Sequence, residues 1–162
     1  MSFLDMDEWL LDLVQQAEIV YSPILDVKEF PENVDVTLIE GAVANEEHAE
    51  QLLKIRERSK VLVSFGDCAV TGNVTSLRNP LGTAEPVLRR SYVELADTAP
   101  QVPREEGILP VLLDRVRPVH EVVYVEYYLP GCPPPAGRIR AVLEALIAGR
   151  PPQLGGKDIQ FG

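Results

Sequence analysis

No apolar run in this sequence is long enough to cross a bilayer: the longest, Gly107 to Leu113, is broken by Pro110 and falls far short of the ~20 residues a spanning helix needs. A membrane-spanning role is excluded for these residues. Positive charge is also scarce, with 15 Lys and Arg against 25 Asp and Glu and a formal net charge of -10. That is the wrong sign for a surface that neutralises phosphates, so neither nucleic acid nor an anionic membrane is an expected partner. The two histidines, His48 and His120, lack the partner spacing of a zinc site. No Gly-x-Gly-x-x-Gly and no Walker loop is present, so no motif points to nucleotide chemistry. Internal repeats, low-complexity tracts and linkers are missing too, and 46% apolar with 25% charged residues suits one folded domain over 1–162. The segment Met1 to Glu8 is acidic where a secretory signal is basic, so a reducing, cytoplasmic home is expected.

Apolar periodicity supplies the elements. Phe3, Leu4, Trp9, Leu10, Leu13, Val14 and Ala17 recur at helical spacing, which predicts a helix over Asp5 to Gln16. Short strands are expected at Glu18–Ser22 and Val34–Ile39. Asn45 is an N-cap candidate ahead of Glu46 and Glu47, with Leu52, Leu53 and Ile55 as the inner face of a helix to Arg58. The continuous apolar run Lys60 to Phe65 reads as a strand covered on both faces, ending in Gly66-Asp67-Cys68-Ala69. From Gly72 to Pro118 the pattern loosens into a turn at Asn79–Gly82, a helical stretch over Glu85–Ala96 and a long connection. A strand over Glu121–Leu129, the loop Pro130–Pro135 and a helix over Ala136–Ala148 follow, with Gly149–Gly162 as an extension. Strand, helix, strand in this order predicts an α/β fold: a mostly parallel sheet with helices on both faces.

Cysteine is rare, and both copies fall where an open parallel sheet binds ligands, outside the carboxyl ends of the strands. Cys68 stands three residues after Phe65 and Cys132 three residues after Leu129. In a reducing compartment such a pair is inert and buried, catalytic or metal-binding. Gly66 and Gly131 shortly precede the two cysteines and let backbone amides approach a thiolate cluster, while Pro133, Pro134 and Pro135 stiffen the second loop without adding donors.

Four segments, Met1 to Trp9, Glu40-Gly41-Ala42-Val43, Val63 to Ala69 and Leu129 to Pro134, resemble successive motifs of the small subunit of cytoplasmic, NAD-reducing bidirectional nickel-iron hydrogenases. The likeness runs along the whole chain. The related 20 kDa cluster subunit of respiratory complex I shares Pro-Gly-Cys-Pro-Pro but carries a tandem Cys-Cys that this sequence lacks. The resemblance implies a flavodoxin-like fold and one 4Fe-4S cluster with Cys68 and Cys132 as two of its four ligands. The other two come from a Cys-x-x-Cys loop preceding the Met1–Trp9 segment, which these residues do not include. The strand before that loop would be an interior one, in the order 2-1-3-4-5. Glu40 is implied as an acidic group near the partner, for proton relay or interface contact; a solvated rim carboxylate is the plain alternative. The implied partners are a nickel-iron large subunit, against which the Trp9 helix packs, and a diaphorase holding flavin and NAD. FMN is not expected on this chain itself. A cluster-free scaffold that still binds the large subunit stands as the alternative function.

Overall fold

The computed structural model describes residues 4–159 and 161. Phe3, one of the apolar residues at helical spacing, lies outside them. The first helix, α1 (Trp9–Gln16), starts later than the periodicity suggests. A 3-10 turn over Leu4–Met6 precedes it, and Asp7 at φ 48° interrupts the helical path between them. Trp9 and Leu13 are buried, and the Arg140 guanidinium lies 5.4 Å from the Trp9 ring centroid.

The strand expected at Glu18–Ser22 does not form. Its residues have strand-like side chains but no neighbouring ladder, and β propensity is realised only against cross-strand partners. Tyr21 instead meets Phe30 edge-on at 5.2 Å.

The parallel sheet consists of β1 (Val34–Glu40), β3 (Ser59–Phe65) and β5 (Tyr127–Leu129), in that spatial order. β1 pairs directly with β3 from Val34↔Ser59 to Glu40↔Phe65, and β3 with β5 from Val63↔Tyr127 to Phe65↔Leu129. The α/β class and parallel pairing are borne out. β1 and β3 are hydrogen-bonded neighbours along their full length.

Helix α2 (Glu46–Arg58) connects the first two sheet strands and has the expected ends. The Asn45 side chain accepts the His48 amide at 2.7 Å, and Arg56 and Arg58 occupy the last turn. The strand expected over Glu121–Leu129 contracts to β5. Upstream, the Leu62 amide is taken at 2.7 Å by the Glu126 carboxylate, which Arg56 also grips at 2.8 Å, and Val119–Glu121 forms a 3-10 turn. An unforeseen antiparallel pair, β2 (Val43–Asn45) and β4 (Leu112–Arg117), ties the long connection back to the start of α2. Arg78 and Asn79 brace it: Arg78 donates to the carbonyls of Ala44, Leu113 and Asp114, and Asn79 both donates to and accepts from the Val116 backbone. The helical stretch near residue 85 is α4 (Glu85–Arg89), continued by a π turn to Glu94.

Alternating side chains of β3 divide the core. Val63 and Phe65 pack with Met6, Trp9 and Leu13 and with Ile139 and Val142 of α5 (Ala136–Ile147) on one face. Leu62 packs with Leu52, Val119, Val123 and Val125, and with Ala69 of α3 (Gly66–Thr71), on the other. Helices therefore cover both faces, and β3 leads straight from the core to the cysteine edge. No helix among the described residues is long and apolar enough to cross a membrane.

Candidate metal centre

Cys68 sits within α3, a helix where the sequence pattern predicts only a loop, and one that starts immediately where β3 ends. Gly66 turns the chain with φ +80°, and Gly72 closes the helix at φ +84°, its amide bonding the Cys68 carbonyl at 2.9 Å. Cys132 follows β5, the neighbour of β3 in the sheet. Both cysteines are free thiols; Cys68 is half-buried and Cys132 exposed.

The start of α3 and the loop after β5 are bonded to each other. The Asp67 amide donates to the Gly131 carbonyl at 2.9 Å, and the Gly131 amide donates to Asp67 Oδ1 at 2.6 Å. Gly131 stands at φ +137°, and a Cβ there would lie 2.5 Å from Pro134 Cα, so only glycine fits. At Gly66 a Cβ would make only ordinary contact with the Gly131 carbonyl, and its positive φ is what favours glycine.

The Cys68 thiol pKa is raised above its ordinary value. Burial is the first cause, followed by the negative charge of Cys132, Asp67 and Glu40, while a hydrogen bond from the Val74 backbone opposes the shift. Glu40, exposed at the end of β1, thus shares the electrostatic neighbourhood of Cys68 with Cys132. The residues singled out in the sequence, Glu40, Gly66, Cys68, Gly131 and Cys132, are brought to one edge of the sheet. Of the histidines, His48 is exposed near the start of α2, and exposed His120 meets Tyr128 edge-on. Sequence reasoning misses Asp67 and Val74. Asp67 touches the second loop across 64 residues of sequence, and Val74 contributes only its backbone, so neither leaves a local signal.

The donor set fits a soft, thiolate-seeking centre in part. A 4Fe-4S cluster takes four thiolates, and these 162 residues contain two cysteines. No three His, Cys, Asp or Glu side chains gather to hold a metal ion among the described residues.

The family model for NADH ubiquinone oxidoreductase, 20 Kd subunit, matches residues 1–146. The chain belongs to this family. The proteins that this chain resembles in sequence include hydrogenase subunits. It is 44% identical over 155 residues to a subunit of the F420-non-reducing hydrogenase (vhu) of Methanococcus voltae, an alignment covering 94% of this chain and 53% of that protein. It is 40% identical over 155 residues to the delta subunit of the NAD-reducing hydrogenase HoxS of Cupriavidus necator, covering 93% and 73%. The chain therefore spans about half the length of the first relative and about three quarters of the second. A crystal structure of NAD+-reducing NiFe-hydrogenase in the H2-reduced state superposes with a TM-score of 0.92 at 38% identity, covering 100% of this chain and 90% of that one.

Proposed function

We propose that this chain is the electron-transfer small subunit of a nickel-iron hydrogenase, with Cys68 and Cys132 supplying two of the four thiolates of a 4Fe-4S cluster. The observation that carries this reading is the placement of two free cysteines just past the carboxyl ends of neighbouring parallel strands, on segments hydrogen-bonded to each other through Asp67 and Gly131. Hydrogenase relatives on both sequence and structure support it. The other two thiolates come from outside these residues, whose only cysteines are Cys68 and Cys132. When bound, such a cluster supplies one-electron transfer between an H2-activating large subunit and an NAD-reducing diaphorase.

The chain's own residues hold and orient the ligands. Gly131 and Pro134 set the second loop, and the Val74 backbone bonds the Cys68 thiol and favours its charged form. Phe65 and Leu129, buried under the edge, keep water from the strand ends. Glu40 offers an exposed carboxylate there for proton relay or for a polar contact with the large subunit. Leu11 and Val14 are 63% and 54% exposed on α1, apolar surface suited to the large subunit.

The test uses the assembled hydrogenase. Cys68→Ala or Cys132→Ala should abolish hydrogen-driven reduction of NAD while the diaphorase's own NADH oxidation by an artificial acceptor persists. Unchanged hydrogen-driven reduction in both variants would overturn the assignment.

A further inference from the structure

Asp67 is 5% exposed, and its backbone amide and its carboxylate both bond the same residue of the facing loop. Oδ1 accepts the Gly131 amide at 2.6 Å, and the Asp67 amide donates to the Gly131 carbonyl at 2.9 Å. The Asp67 carbonyl is taken in turn by Thr71 Oγ1 at 2.9 Å, within α3. Each end of this connection adjoins a cysteine, since Asp67 immediately precedes Cys68 and Gly131 immediately precedes Cys132.

A carboxylate is electrostatically the wrong neighbour for a thiolate pair, because like charge opposes theirs. Burying it carries a further cost unless it is well bonded. Its geometry accounts for its presence: a charge-assisted bond to a backbone amide is short and directional, and here it joins the Asp67 amide bond in bridging the two loops.

We infer that Asp67 is a positioning residue, whose carboxylate clamps Gly131 and thereby sets the separation of Cys68 and Cys132. This rests on reading the two cysteines as joint ligands of one centre. An Asn in its place keeps an oxygen that can accept the Gly131 amide; an Ala does not. The second loop then keeps its prolines and its place after β5 but loses its side-chain tie to α3.

The experiment measures the two thiols against each other in the reduced, iron-free chain. Dibromobimane, which fluoresces only when both of its arms have reacted with thiols, reports intramolecular Cys68–Cys132 cross-linking, and iodoacetamide reports total thiol reactivity. The ratio of the two rates is the readout. Asp67→Ala should lower that ratio about tenfold, the effect of losing one buried charge-assisted bond, whereas Asp67→Asn should stay within about twofold of wild type. Val142→Ala, which opens the core on α5 ten residues beyond Cys132, controls for general loosening and should retain the wild-type ratio. A wild-type ratio in Asp67→Ala, or an equal fall in Val142→Ala, overturns the inference. Should Asp67→Ala lose its circular dichroism, Asp67→Ser replaces it with the same fall expected, and a wild-type ratio there is equally contrary. Because cross-linking needs no iron, this result separates the clamp from the ligand assignment: if cross-linking obeys Asp67 but a form that also carries a Cys-x-x-Cys loop ahead of Met1 never binds iron, the assignment alone is overturned.

Discussion

Glu126 reaches back across the sheet to bond the Leu62 amide at 2.7 Å with the same carboxylate oxygen that Arg56 grips at 2.8 Å. It takes the part of a strand carbonyl where β5 has not yet begun. Leu62 is fully buried, so its amide has no water to fall back on. Glu126→Ala is expected to cost about 2–3 kcal/mol, by orphaning that amide and unpairing Arg56, and Glu126→Gln about 1 kcal/mol, since an acceptor remains. Urea unfolding midpoints for the two variants check the order; equal losses would contradict it.

Gly131 and Gly41 both have positive φ, yet only one is crowded. A Cβ at Gly41 meets nothing within 4 Å, while at Gly131 it lies 2.5 Å from Pro134 Cα. Gly41→Ala should therefore cost about 1–2 kcal/mol, from backbone strain alone, and Gly131→Ala about 3 kcal/mol or more. Thermal unfolding of the pair measures the difference.

The two thiols should react unequally. Cys132 is exposed, whereas Cys68 is half-buried with its pKa raised, so at a given pH it presents less thiolate. Iodoacetamide at pH 8 should label Cys132 first, and the Cys68 rate should go on climbing at pH values above an ordinary thiol's pKa. Removing a charge that raises the pKa, by Glu40→Gln or Cys132→Ser, should speed Cys68 labelling. Peptide mass spectrometry follows each site; slower Cys68 labelling in both variants would contradict the electrostatic picture.

Exposed Leu11 and Val14 bear on assembly. Replacing both with Lys should leave the unfolding temperature of the chain within a few degrees, since neither is buried, and should reduce co-purification with the large subunit. Intact co-purification would move the interface elsewhere.

Much of the fold is legible in the sequence because its periodicities are local. β1, β3, α2 and α5 follow from apolar runs and spacing, and the Asn45 cap from the acidic turn behind it. The strand expected at residues 18–22 fails because its side chains are right but no ladder stands beside it. β2 stays hidden because a three-residue strand has no pattern, and β4 because its only partner is that short strand across the loose connection. At the edge of the sheet, the approach of Cys68 and Cys132 can be read from their places after two strands. That Cys68 rides a short helix cannot, although Gly72 is available as a closing signal. Asp67 is invisible for a different reason: its partner is a backbone amide 64 residues away, and no residue type announces that.

The most direct test of the ligand assignment is iron and acid-labile sulfide analysis after anaerobic reconstitution, run on the 162-residue chain and on a form carrying a Cys-x-x-Cys loop ahead of Met1. With two thiolates the first should hold little or no 4Fe-4S, and with four the second should hold about one cluster per chain, lost on Cys68→Ala or Cys132→Ala. A stoichiometric 4Fe-4S cluster in the 162-residue chain, or a cluster that survives both substitutions, would contradict the account.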